Sequence, residues 1–325
     1  MQKGSSFSLR PARSGEATLR SRRTKDRWAQ QLFYGLAAFP IILVVVIVVA
    51  LVIRAWPILQ HSSLWELITG RIWLPTEGKF GFLPFIVGTF WVTVVASILA
   101  VPLCLLTAIY LAEYASPSLR NAMKPFIDLL AAIPSVVYGV WGLLAIVPFV
   151  QALKHNLGPV LSFIPIFNSR NPTGYSILAG SIVLAVMIAP FIIAVTYEVL
   201  STVSLGSREA SLAVGATRWQ TVKYAVLPQA RPGIIAGVVL GASRALGETM
   251  AVIMVVGNVV QVPNSIFDAA YPLPALIANN YGEMLTIPLY DAALLTAALI
   301  LLVIVLIFNV LSTLALRHII GRNWV

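Results

Sequence analysis

Charge is scarce in this chain. Of 325 residues only 10% are charged and 59% are hydrophobic, and the mean hydropathy is +0.89. A soluble domain carries about 25% charged residues, so the polar material to cover a globule of this size is absent. Cysteine is nearly absent too. Cys104 stands alone inside an apolar run, which excludes an internal disulfide and suits a small packing or lipid-facing residue. His61, His155 and His318 are far apart and no Cys/His cluster has metal-ligand spacing, so no metal and no cofactor is expected. No G-x-x-x-x-G-K-[ST] phosphate loop occurs, which excludes ATP hydrolysis by that motif in this chain. There is no catalytic constellation, and no row of acids inside the apolar runs that would suit proton coupling. No inverted repeat is visible, which counts against a secondary transporter.

Long apolar runs fill the space those absences leave. Runs of about 18 or more apolar residues read as membrane helices. The first is Leu36 to Ile53, flanked by Tyr34 and Trp56 as interfacial anchors. Five more follow, at about Phe85–Leu111, Phe126–Val150, Ile177–Leu200, Gly233–Gly257 and Ala292–Leu316. The expected fold is therefore an all-α integral membrane protein with six transmembrane helices. Residues 1–33 are polar and basic and read as a disordered or surface-lying tail. That basic stretch is too long for a signal-peptide n-region, so 34–84 reads as a retained signal-anchor helix and an external loop. Residues 85–325 form the main membrane domain.

The net charge of +10 invites a nucleic-acid reading until the charges are placed. With the N-terminus inside, the inner segments 1–33, 113–125, 201–232 and 317–325 hold 16 Lys and Arg. The outer loops hold 5, and Arg244 lies inside a span. This asymmetry predicts both termini in the cytoplasm. The excess positive charge faces anionic membrane lipid rather than nucleic acid. Glu113, Asp128, Glu198 and Asp291 lie near span ends and read as solvated.

The inner loop 201–232 is long and patterned. Ser207 can cap a short helix with Glu209 in its first turn. Ala210, Leu212 and Ala213 give that helix a small apolar surface, and Gly215 permits the left-handed turn that stops it. Thr217 can cap a second helix through Trp219, Val222 and Val226, which Leu227-Pro228 would end. Two short helices beneath a membrane domain make a shape that a partner can grip; the alternative is an ordinary amphipathic interfacial loop.

This loop resembles the EAA loop of ABC importer permeases, whose pattern is E-A-A, three residues, G, nine residues, then I-x-L-P. Glu209, Ala210, Gly215, Leu227 and Pro228 match, while Ser211 and Ala225 depart from it. Three further stretches resemble the phosphate-specific permeases: Phe80 to Thr93, Leu129 to Leu143, and Ser243 to Asn258. The wording Tyr138-Gly139-Val140-Trp141-Gly142 and the chain length resemble the PstC family more than the related PstA family. The resemblance implies the MetI-like ABC type-1 permease fold in a prokaryotic plasma membrane. It further implies a second, PstA-like permease subunit, a dimer of ATP-binding subunits docked on the coupling loop, and an external phosphate-binding protein delivering phosphate. ATP binding would close the ATPase dimer and switch the spans between inward- and outward-open states. A permease for another oxyanion such as sulfate or molybdate is the nearest alternative; an ion-coupled secondary transporter or a channel would need no coupling loop.

The residues of the fifth span carry chemistry of their own. Arg244 lies 11 residues past Gly233, roughly 16 Å deep at 1.5 Å per residue. A charge at that depth costs at least about 2.5 kcal/mol and marks a cavity or a partner. Glu248 stands four residues on, where a continuous helix would place it beside Arg244. The pair reads either as a bridge pinning helices or as part of an anion path, since arginine offers two parallel hydrogen bonds to an oxyanion. Ser243, Thr249 and Asn258 add hydrogen-bonding groups to the same span. In the third span Pro134 predicts a kink. Ser135, Tyr138, Gly139 and Gly142 read as helix-contact or pathway-lining residues.

Overall fold

A computed structural model describes residues 14–161, 163–169, 171–283 and 287–321. Helix α1 runs unbroken over Ser14–His61. The expected boundary between a disordered or surface-lying tail and the first span is therefore absent among the described residues; the tail before residue 14 lies outside them. Asp26 to Leu32 is rich in good helix formers, and a formed span extends outward at little cost because its nucleus already exists.

Among the described residues six helices are long and apolar enough to cross a membrane: Asp26–His61, Leu83–Tyr114, Ser135–Asn156, Ile177–Thr202, Arg218–Leu246 and Tyr290–Arg317. Between the first two lie α2 (Leu64–Thr69) and a hairpin of β1 (Trp73–Leu74) and β2 (Lys79–Phe80), with Trp73 opposite Phe80. The Trp73 ring packs edge-on against Phe80 and Phe85 at 5.5 and 5.1 Å. Gly81 sits so close to Gly70 that a Cβ there would lie 2.4 Å from its carbonyl carbon, so the loop needs both glycines.

The centre of the bundle is α3 (Leu83–Ile109) against α7 (Ile177–Thr202). Ala96, Ala100, Cys104 and Ala108 recur every four residues on α3 and are all buried. That stripe of small side chains lets the branched residues Val183, Leu184, Ile188 and Ile192 of α7 approach closely. Cys104 is one of these packing residues, its thiol 3.7 Å from the Ala189 carbonyl.

The third span departs from expectation. Helix α4 (Pro117–Ala132) stops, Ile133 and Pro134 are extended, and the chain resumes as α5 (Ser135–Trp141), a π turn over Gly142–Ile146, and α6 (Val147–Leu161). Pro134 breaks the helix rather than kinking it, because the residue before a proline is driven out of the helical region. A π turn also occupies Val222–Val226, between α9 (Arg218–Thr221) and α10 (Leu227–Leu246). Each of these two π turns is followed two residues later by a proline, Pro148 and Pro228. The wide turn absorbs the carbonyl that a proline cannot satisfy and its ring would crowd. Leu227-Pro228 therefore does not end the second loop helix; it continues as the fifth span.

Spans four and five are antiparallel and exceptionally close. A Cβ on Gly233, Gly237 or Gly241 would lie 2.5, 3.0 or 2.6 Å from Val199, Val195 or Ile192. The fifth span then ends early, at Leu246 instead of near Gly257. A short helix, α11 (Met250–Ile253), follows the break. Asn258 falls outside the span, in a left-handed turn at φ 53°, its amide nitrogen 2.8 Å from the Ile253 carbonyl to which it donates. The chain completes with α12 (Leu273–Asn280) and α13 (Tyr290–Gly321).

Candidate functional site

The glycine contacts give Arg244 a depth that helix counting alone did not secure. Its guanidinium carbon sits 3.9 Å from the centroid of the Phe191 ring. Phe191 is 11 residues from the Thr202 end of α7 and 14 from the Ile177 end, so it lies roughly 16 Å from one end and 21 Å from the other at 1.5 Å per residue. Arg244 is thus held near the middle of a neighbouring span. It occupies the last turn of α10, where the helix dipole favours a cation. Its side chain is exposed, with one face covered by an aromatic ring.

The expected partnership with Glu248 is not formed. Among the described residues no ion pair joins them. The helix stops at Leu246 with Gly247 as its cap, so Glu248 is no longer one turn above Arg244 on a common face. Glu248 instead turns onward and accepts a hydrogen bond from the Ala251 amide at 3.2 Å. Ser243 turns a third way and donates to the Asn309 side-chain oxygen of α13 at 2.8 Å. Thr249 donates to the Gly247 carbonyl at 3.3 Å. The polar groups of the break thus diverge, and among the described residues the Arg244 side chain makes no hydrogen bond or ion pair. Discontinuous spans of this kind place helix ends at mid-membrane, where ion and substrate sites form.

The third span abuts this break. A Cβ on Gly139 would lie 2.6 Å from the Met254 sulfur and 3.2 Å from Ala251 Cα, so Gly139 is the contact that lets α5 reach α11. Gly142 plays the same part against Val183, at 2.5 Å. Tyr138 is buried and its hydroxyl donates to the Leu130 carbonyl at 2.8 Å, tying α5 back across the Pro134 break. Ser135 is half-buried on the first turn of α5. Asn309 and Phe191 belong to the neighbourhood of Arg244 and were not among the sequence candidates; a lone amide in an apolar run was the signal for Asn309.

The second site is the loop between spans four and five. Helix α8 (Leu205–Ala213) is capped by Ser204, not Ser207: the Ser204 hydroxyl accepts from the Ser207 amide at 3.3 Å. Gly215 has φ +86° and its amide donates to Leu212 O at 2.9 Å, closing the helix as its residue type required. Thr217 caps the second helix in a reciprocal box with Gln220. Ser211, a departure from the EAA pattern, stands 3.0 Å from the Thr221 hydroxyl and so bonds the two short helices together. Glu209, Ala210, Leu212 and Val214 are exposed on one side, with Trp219 exposed nearby. Among the described residues no His, Cys, Asp or Glu cluster of three or more could hold a metal. Lys124, outside the spans, has its ammonium pKa raised by the Glu198 carboxylate near the end of the fourth span, 2.9 Å away in an exposed pair.

Residues 100–322 match the family described as "Binding-protein-dependent transport system inner membrane component". The match is reinforced by the PstC phosphate transport permease of Mesorhizobium japonicum, 34% identical over 95% of both chains. The chain belongs to the PstC family of these permeases. A probable PstC of Methanocaldococcus jannaschii is 30% identical over 88% of this chain and 93% of its own. A probable ABC transporter permease of Bacillus subtilis, YqgH, is 39% identical over 76% of this chain and 75% of its own. Among solved structures, a crystal form of the methionine ABC transporter MetNI has TM-score 0.53 at 22% identity, covering 71% of this chain and 93% of that one. A bacterial alginate ABC transporter bound to its periplasmic protein has TM-score 0.58 at 18% identity, over 91% and 97%. These structures establish the MetI-like importer fold expected from the sequence. As a PstC-family member the chain is a multi-pass permease subunit of an ABC importer. ATP hydrolysis belongs to partner ATP-binding subunits, and a binding protein supplies the cargo.

Proposed function

We propose that this chain forms one half of the path for inorganic phosphate in such an importer, alongside a PstA-like second permease. Arg244 carries the reading: a permanent cation near mid-span, at the end of a broken helix, with no hydrogen-bond partner for its side chain among the described residues and with one face held on Phe191. An oxyanion takes two parallel hydrogen bonds from such a fork. The PstC relatives, described as phosphate transport permeases, give the cargo. The loop 201–232 docks the ATP-binding subunits through Glu209, Ala210 and the exposed apolar residues beside Gly215, with Leu227 and Pro228 leading into the fifth span.

The test is reconstitution of the four-part complex with its binding protein in liposomes. ATP-driven uptake of labelled phosphate, undiminished by excess sulfate, is the expected result; uptake of sulfate with exclusion of phosphate would move the chain to another oxyanion. The same reading puts both termini and the coupling loop in the cytoplasm. On a Cys104→Ala background, cysteines at Ser5 and Asn323 should resist impermeant maleimide from outside intact cells, and labelling of either would overturn the orientation.

A further inference from the structure

Glu113 was expected to be solvated, yet its side chain is only 10% exposed. It lies in the π turn Tyr110–Tyr114 that closes the second span. Its partner is Arg208, 17% exposed and 95 residues away, on the coupling helix α8 immediately before Glu209. The guanidinium grips both carboxylate oxygens, Nη2 to Oε1 at 2.9 Å and Nε to Oε2 at 3.3 Å. It also donates to the Leu200 carbonyl at 2.8 Å and to the Val203 carbonyl, both at the end of the fourth span. One side chain therefore joins three elements: α8, the end of span two and the end of span four. Arg120 holds the same π turn from α4, donating to the Leu111 and Ala112 carbonyls at 3.1 and 2.9 Å.

We propose that Arg208 is a positioning residue for transport, the fixed joint through which a displacement of the coupling helix is passed undiminished to spans two and four. Three features argue for this. A two-pronged guanidinium–carboxylate contact fixes orientation as well as distance, which a single hydrogen bond does not. A largely buried pair is costly to separate, because each parting group is left as a poorly compensated charge. The other side-chain tie of α8, Ser211 to Thr221 at 3.0 Å, leads to span five and not to spans two and four, and none of the residues of α8 is fully buried. Without Arg208 the helix can shift under its partner while spans two and four stay still.

The inference rests on the reading of 201–232 as the coupling loop, and the experiment separates the two. The reconstituted importer is prepared with Arg208→Gln, Arg208→Lys, Glu113→Gln and, as a reference, Gly215→Val. Complex yield, ATP hydrolysis and phosphate uptake are measured together. For Arg208→Gln the complex assembles and hydrolyses ATP, but phosphate moved per ATP falls by roughly 5- to 150-fold, the range of ordinary coupling free energies. Glu113→Gln, which leaves the two carbonyl contacts, and Arg208→Lys fall less. If Arg208→Gln does not assemble, the ratio is read on these two milder variants. An unchanged ratio in every assembled variant overturns the joint, as does failure of all three to assemble, which would make the pair a folding element only. If Gly215→Val loses both stimulated hydrolysis and uptake while Arg208→Gln keeps its phosphate-per-ATP ratio, the joint fails alone; if Gly215→Val keeps both, the coupling reading has failed first.

Discussion

Arg244→Gln should reduce phosphate uptake by about a hundredfold or more, given two charge-assisted hydrogen bonds at about 1.5–3 kcal/mol each. The complex should still assemble, because Arg244 makes no ion pair among the described residues and its stacking on Phe191 is worth only about 0.5–2 kcal/mol. Arg244→Lys should recover little, since an ammonium neither stacks flat on the ring nor offers a planar fork. Glu248→Gln is the informative control. Its amide oxygen can still accept from the Ala251 amide as the carboxylate does, so uptake should stay within a few-fold of the wild type. A bridge between Arg244 and Glu248 would instead make both variants equally harmful, and an Arg244→Glu, Glu248→Arg swap would then restore transport. Uptake of labelled phosphate beside the yield of purified complex decides among these outcomes; near-normal uptake by Arg244→Gln would remove Arg244 from the path.

Gly215→Val should disconnect the permease from its ATP-binding subunits. The position has φ +86° and nothing within 4 Å of an added Cβ, so the space is free and the obstacle is backbone conformation alone. A left-handed residue costs roughly 1–2 kcal/mol for an ordinary side chain and more for a β-branched one. The turn would open and the Thr217 cap would lose its alignment with α8, while the spans, packed elsewhere, still insert. ATP hydrolysis stimulated by the binding protein and phosphate uptake should both fall severely, with permease abundance in the membrane unchanged. Gly215→Asn, which tolerates a positive φ, should retain most of the activity. Full transport by Gly215→Val would remove this loop from coupling.

The spans were legible because lipid enforces a simple rule: backbone groups must be satisfied within each segment, and side chains must be apolar for its length. Thr217 and Gly215 were legible because capping and positive φ are local demands on residue type. Ser204 and Ser207 are both serines three residues apart, and either could cap α8; local chemistry does not choose between them. The break at Gly247 was not visible, since glycine is ordinary in membrane helices. It takes Gly139, on another span, to admit α11 and make ending the helix there worthwhile. The same non-locality hid Glu113 and Arg208, each unremarkable alone. Losing the Arg244–Glu248 pair followed directly from missing that break, because the pairing assumed a continuous helix.

The three glycines of α10 seat it against Val199, Val195 and Ile192 with no room for a methyl group between. Such a contact acts as a toothed rack. To slide along α7, α10 would have to lift its backbone over each branched side chain, and the next seat lies four residues away, about 6 Å at 1.5 Å per residue. Small gliding motions between these two helices are thereby forbidden. Arg244 and Phe191 ride on the two sides of that rack, so the cation keeps its ring through any rearrangement short of a full notch. On the proposed anion path, access to Arg244 then alternates by moving other walls around this pair, with the opening seam away from the contact between spans four and five.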